Sequence, residues 1–123
     1  MNKKILIFED DNATAEFSGI LAQQLGFEVA FRTKTDNVLN DVLEEAPDLV
    51  VMDNWIPGEG GLSSIDMLKN TASTAHIPII FYSANTDFEN LAKDSKADIF
   101  LSKPFDIEDF EDALNRLIPD SSK

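Results

Sequence analysis

Four short segments carry side chains with chemistry to offer: Glu9-Asp10-Asp11, Asp53, Ser83, and Lys103 ahead of Pro104. Each lies at or near the carboxyl end of a short apolar run. Carboxylates brought together from separate stretches repel one another, by roughly 1 kcal/mol per pair at 4 Å even in bulk water and several-fold more near protein. A bound cation relieves that repulsion. An oxygen-only donor set without His or Cys selects a hard ion, and partial hydration favours Mg2+. Beside such an ion a carboxylate can attack a phosphoryl group and become an aspartyl phosphate. The product's oxygens then need neutralising, which suits Mg2+ and the Lys103 ammonium. The Ser83 hydroxyl can donate a further hydrogen bond to them.

Whether these residues meet depends on the elements that carry them. Ile5-Leu6-Ile7-Phe8 is continuously apolar, the pattern of a strand buried on both faces. Asn12 is the expected cap of a first helix, with Phe17, Ile20, Leu21 and Leu25 on one inward face and Gly26 at its end. Phe27 to Phe31 reads as the second strand. A second helix begins near Thr35, carries Val38, Leu39, Val42 and Leu43, and stops before Pro47. Leu49 to Met52 is the third strand, and Pro57-Gly58-Glu59-Gly60-Gly61 is a loop before a helix with Leu62, Ile65 and Leu68. Ile77 to Tyr82 is the fourth strand, followed by a weaker helix around Phe88, Leu91 and Ala92. Ile99-Phe100-Leu101 is the fifth. Asp106 caps a last helix with Ile107, Phe110, Leu114, Leu117 and Ile118 inward, and residues 118–123 form a polar C-terminal tail. Five strand–helix units of this kind predict an α/β fold with a mostly parallel sheet covered on both faces. In such folds ligands gather beyond the carboxyl ends of the strands, where all four chemical segments fall.

Composition narrows the function. The 123 residues fit one domain, 1–123, and include 10 Lys and Arg against 23 Asp and Glu, a formal net charge of −13. That charge makes nucleic acid a poor direct partner, since a polyanion would be repelled. There is no cysteine, hence no disulfide frame, thiolate metal site or thiol nucleophile. No apolar run is long enough for an export segment or a bilayer span, so a cytoplasmic location is expected.

The quoted segments, together with Asp48-Leu49-Val50-Val51-Met52-Asp53, Pro57-Gly58, Ser83-Ala84 and Lys103-Pro104-Phe105, closely resemble the receiver domain of two-component response regulators, a CheY-like domain. The resemblance covers nearly the whole chain. It implies a flavodoxin-like (βα)5 three-layer sandwich with a five-stranded parallel sheet of order 2-1-3-4-5. Residue by residue, it implies that Asp53 is the phosphoacceptor. Glu9 and Asp10 match the acidic pair that holds Mg2+ with Asp53, directly or through water, and the carbonyl of Trp55 matches a further protein ligand. Ser83 and Lys103 match the groups that sense the acyl phosphate, Phe100 occupies the aromatic switch position, and the Lys103–Pro104 bond matches a cis peptide.

The implied partner is a sensor histidine kinase or a histidine phosphotransfer protein. The implied output is a protein-binding face formed by the fourth and fifth helices and the fifth strand, engaged by a downstream protein or by phosphorylation-dependent homodimerisation. A chain of this length leaves no room for an output domain, so a stand-alone regulator is expected. Its only enzymatic role would be its own phosphorylation and dephosphorylation.

Blander readings compete with each residue. An acidic cluster alone is usually a solvated face, Lys103 alone an ordinary surface lysine, Ser83 alone a helix cap and Phe100 simply core. Asp11 is better read as an anion at a helix N-terminus than as a third metal carboxylate. His76, the one histidine, reads as structurally ordinary. Three rival functions are a degenerate receiver that only docks, an aspartyl-phosphate hydrolase and a flavodoxin-like flavin binder. The hydrolase's Asp-x-Asp signature is missing, since Asn54-Trp55 follow Asp53, and Glu9-Asp10-Asp11 would repel a flavin phosphate. Three departures from the receiver pattern stand out. Phe100 keeps the aromatic ring but lacks the hydroxyl common there, Lys96 replaces a common glycine and predicts a costlier turn, and Trp55 is bulky beside a phosphoryl group. Trp55 should exclude attacking water, so Trp55→Asn should lose its phosphoryl group faster than wild type. The decay of phosphorylated protein, followed by intact mass, checks this.

Overall fold

Continuous apolar runs have no polar side to turn to water, so strands made of them need cover on both faces. The computed structural model describes residues 3–54, 56–58, 60–83, 95–102 and 106–118. Its strands are β1 (Lys4–Phe8), β2 (Glu28–Arg32), β3 (Leu49–Asp53), β4 (Ile79–Ser83) and β5 (Ile99–Ser102). They form one sheet in the order β2-β1-β3-β4-β5, with every pairing parallel. The helices among the described residues are α1 (Asn12–Gln24), α2 (Val38–Glu45), α3 (Gly61–Lys69) and α4 (Ile107–Leu117). The fold is the flavodoxin-like receiver fold that the sequence implies.

The two faces of the sheet are covered by different helices. On one, Ile5, Ile7, Val51, Ile80 and Tyr82 pack with Leu21 and Ala22 of α1 and Phe110, Ala113 and Leu114 of α4. On the other, Leu6, Phe8, Val50, Met52 and Phe81 pack with Val38 and Val42 of α2 and Ile65 and Leu68 of α3. The central strands β3 and β4 are buried at every position, whereas the edge strand β5 is only half-buried.

Several local expectations are corrected. Asp11, not Asn12, caps α1, its carboxylate accepting from the Thr14 amide at 2.9 Å and the Thr14 hydroxyl at 2.6 Å. Phe17 and Ile20 are exposed, because α1 approaches the sheet through its small residues. Ser18, Gly19 and Ala22 are buried, and a Cβ on Gly19 would lie 2.6 Å from the Phe31 ring. Leu43 and Ile107 are exposed too, each beyond the edge of its helix's buried stripe. Helix α2 starts at Val38 rather than near Thr35, because the Thr35 hydroxyl is committed elsewhere. It donates to the Pro57 carbonyl at 3.0 Å and accepts from the Gly60 amide at 3.0 Å, tying the loop after β2 to the loop after β3. The second and fourth strands each begin and end later in the chain than expected. At Lys96 the turn costs nothing in backbone strain: Ala46 is the only non-glycine with positive φ among the described residues. Lys96 instead reaches Asp66 at 3.0 Å and Asn70 at 3.1 Å. Asp106 caps α4 as expected, in a reciprocal capping box with Asp109.

The expected fourth helix around Phe88, Leu91 and Ala92 lies outside the described residues, as does 119–123. Gly61 opens α3 where the chain turns back over the end of β3. A Cβ there would collide with the Asp53 carbonyl oxygen and lie 2.8 Å from the Phe81 ring. Gly61→Ala should therefore destabilise the fold by about 1–3 kcal/mol through overpacking. A denaturant midpoint shift, with the slope unchanged, measures it.

Candidate functional site

Strand order brings the chemical residues together. β1 and β3 are neighbours whose connections leave in opposite directions along the sheet, so a crevice opens beyond their carboxyl ends. Glu9 and Asp10 follow the last residue of β1, and Asp53 is the last residue of β3. One oxygen from each of the three carboxylates lies within 4.8 Å of the others. Glu9 and Asp53 are each only 2% exposed, whereas Asp10 is exposed. Two charges are thus buried side by side at the sheet end, with a third at the mouth.

Burying such charges requires donors. The Asp11 amide donates to Glu9 Oε2 at 3.1 Å, and the Glu9 amide donates to the Arg32 carbonyl at 2.9 Å, which anchors the loop to the end of β2. The Tyr82 hydroxyl donates to Glu9 Oε1 at 2.6 Å. Tyr82 is fully buried and is the register partner of Asp53 on β4. Burial, the hydrogen bond to Glu9 and the charges of Glu9 and Asp53 together push the phenol far above its usual titration range. It therefore stays a neutral donor at any working pH. Sequence reasoning missed this residue by reading it as apolar strand. The available signal was a hydroxyl in the middle of a buried run, since a buried Tyr usually needs a partner for its O–H.

The remaining site residues fall as follows. Ser83 is fully buried as the last residue of β4, one position beyond the partner of Asp53. Phe100 on β5 is half-buried and stands edge-on to Phe81 of β4, with ring centroids 4.9 Å apart. Asp11 is the anion at the N-terminus of α1, as expected, and it also takes the capping role expected of Asn12. His76 is exposed in the turn before β4. Trp55 and the Lys103-Pro104-Phe105 segment lie outside the described residues.

The donor set fits a hard divalent ion. All three groups are carboxylates, their oxygens are close enough to share one ion, and the exposed Asp10 side leaves room for the water that Mg2+ retains.

With the fold and this geometry in place, comparison with known proteins becomes specific. The sequence model of the response regulator receiver domain matches residues 5–115. The chain belongs to that family. Over 107 residues it is 30% identical to the phosphate regulon transcriptional regulatory protein PhoB of Escherichia coli (strain K12), an alignment covering 85% of this chain and 47% of PhoB. Over 107 residues it is 34% identical to the DNA-binding response regulator MtrA of Mycobacterium leprae, covering 85% of this chain and 46% of MtrA. The chain thus spans about half the length of these curated relatives. Among solved structures it resembles the receiver domain of the sensor histidine kinase PA1611 of Pseudomonas aeruginosa, a structure with a magnesium ion coordinated in its active site cleft. There the TM-score is 0.87 at 23% identity, covering 97% of this chain and 99% of that one. It also resembles the chemotaxis response regulator CheY4 of Vibrio cholerae, with a TM-score of 0.85 at 20% identity, covering 96% and 100%. These structural likenesses establish the fold. The receiver is a signalling domain of two-component systems, and the hydrolase and flavin-binder readings are left without support. No helix among the described residues is long and apolar enough to cross a membrane.

Crowding of like charges at the mouth makes Asp10 the informative residue. Asp10→Asn should melt at a higher temperature than wild type in chelator, because one of three mutually repelling charges is gone. The same variant should lose the stabilisation that Mg2+ gives wild type, which amounts to about 2.7 kcal/mol at 100 times the dissociation constant. Melting curves with chelator and with millimolar Mg2+ check both signs.

Proposed function

We propose that this receiver is a phosphorylation-dependent switch in which Asp53 accepts a phosphoryl group. The observation that carries the reading is the convergence of Glu9, Asp10 and Asp53 oxygens within 4.8 Å at the sheet end. Glu9, Asp10 and Asp53, with the Trp55 carbonyl, would hold Mg2+, which when bound supplies charge neutralisation for the phosphoryl oxygens. An Asp53 carboxylate oxygen attacks the phosphorus of a phosphohistidine on a histidine kinase or phosphotransfer protein. The new O–P bond forms as the P–N bond breaks, and the leaving imidazole takes up a proton. Glu9, held at both oxygens, keeps its place while Asp53 reacts.

The product adds charge beside Ser83 and Lys103. Ser83 donates to a phosphoryl oxygen and Lys103 pairs with the group, drawing the ends of β4 and β5 toward Asp53. Phe100, packed on Phe81 one strand away, follows that movement. The shift biases a pre-existing equilibrium at the face of β5 and its flanking helices, where a downstream protein or a second copy of the chain binds. On this reading the domain acts in the cytoplasm, and it catalyses only its own phosphorylation and dephosphorylation.

The direct test is incubation with acetyl phosphate and Mg2+, followed by intact mass. Wild type should gain a single phosphoryl group, and Asp53→Asn should gain none. Labelling that persists in Asp53→Asn, or a wild type that never labels, would remove Asp53 from the role.

A further inference from the structure

Glu9 leaves β1 on a side chain with three rotatable bonds, yet the ion it would serve tolerates little error. Mg2+ needs near-ideal octahedral geometry, whereas Ca2+ accepts variable ligand number and angle. What holds its Oε1 is a residue 73 positions away in the sequence. We infer that Tyr82 is a positioning residue for the divalent cation: its buried hydroxyl, donating to Glu9 Oε1, holds that carboxylate in the orientation Mg2+ requires. This rests on the reading of Glu9, Asp10 and Asp53 as the cation site.

Three features make Tyr82 suited to the task. Its ring cannot swing, being fully buried in the cluster formed by the sheet, α1 and α4. Its main chain is fixed beside Asp53, both by strand register and by the Asn54 amide donating to the Tyr82 carbonyl at 3.0 Å. One residue therefore references two of the three carboxylates to the same strand. Lastly, a phenol donates without bringing positive charge. A Lys or Arg in its place would also hold Glu9 but would cancel the charge that a cation needs, whereas Tyr82 orients the carboxylate and leaves it anionic. The Asp11 amide holds the other oxygen, Oε2, at the same time.

Calorimetric titration of the full chain with Mg2+ alone and with Ca2+ alone tests the inference. Tyr82→Phe should weaken Mg2+ binding about 10-fold or more, as loss of a group that orients a metal ligand commonly does. Its Ca2+ affinity should fall distinctly less, shifting the Mg2+/Ca2+ preference in a way that general destabilisation would not. Tyr82 is also the only tyrosine in the chain. Wild type labelled with 13C at the tyrosine ring Cζ therefore gives a single resonance, which should move on Mg2+ addition with the midpoint of the calorimetric titration, because a metal on Glu9 weakens it as an acceptor. That measurement decides the matter should Tyr82→Phe fold poorly. Equal losses for both ions, wild-type affinities in Tyr82→Phe, or a Cζ resonance unmoved at saturating Mg2+ would overturn the role of Tyr82 while leaving the cation site intact. A wild type that binds no Mg2+ overturns the site itself, and the inference with it.

Discussion

Negative charge crowded into the carboxyl end of a rigid sheet is the constraint that the rest of the molecule is arranged around. Glu9 and Asp53 are both almost completely removed from water, at the ends of adjacent strands whose register permits no slippage. Isolated carboxylates in such a place would be costly, and the cost is reduced only by donors that reach them or by a cation. The described donors to Glu9 come from opposite sides, one from the loop that starts α1 and one from β4 across β3. Both faces of β1, β3 and β4 are sealed by helices, so the charged end is the face of these strands left for chemistry.

The core that holds this end in place divides its labour between the two helical layers. The α1 layer comes close because Gly19 and Ala22 give the Phe31 ring and the sheet room to approach, while Phe17 and Ile20 turn outward. The opposite layer is braced by ions at its margin. Arg32 lies 2.7 Å from Glu45 and 3.3 Å from Asp41, and Lys4 reaches Glu45 at 2.8 Å, linking β1 and β2 to α2. These pairs hold Glu45 below the usual carboxylate range, chiefly through Lys4 and then Arg32. Their contribution is therefore present above the unfolded carboxylate's pKa and is lost as pH falls through the lower folded value.

Much of this was legible in the sequence, and the failures have physical causes. Strands such as Ile5 to Phe8 and Leu49 to Met52 were readable because burial on both faces writes an unbroken apolar run. The meeting of Glu9, Asp10 and Asp53 followed from strand order, which short crossovers restrict severely. The inward face of α1 was misjudged because periodicity records where apolar residues recur, while contact was decided by where small ones allow approach. Thr35 was misread as a helix start because a hydroxyl that would suit a cap is equally able to bridge two loops. Tyr82 was hidden for the opposite reason: its ring satisfies the apolar pattern completely, and its partner lies far away along the chain.

The lacing at Thr35 has a mechanical meaning. Its amide also donates to the Pro57 carbonyl, at 2.8 Å, so three bonds from one fully buried residue join the rim segments beyond β2 and β3. That side of the cleft behaves as a stiff collar rather than a pair of independent flaps. On the proposed reading, an incoming donor domain would meet a lip already in shape and lose little to ordering it. On the proposed reading, a pull at Asp53 would pass through these three bonds to the β2 edge of the sheet.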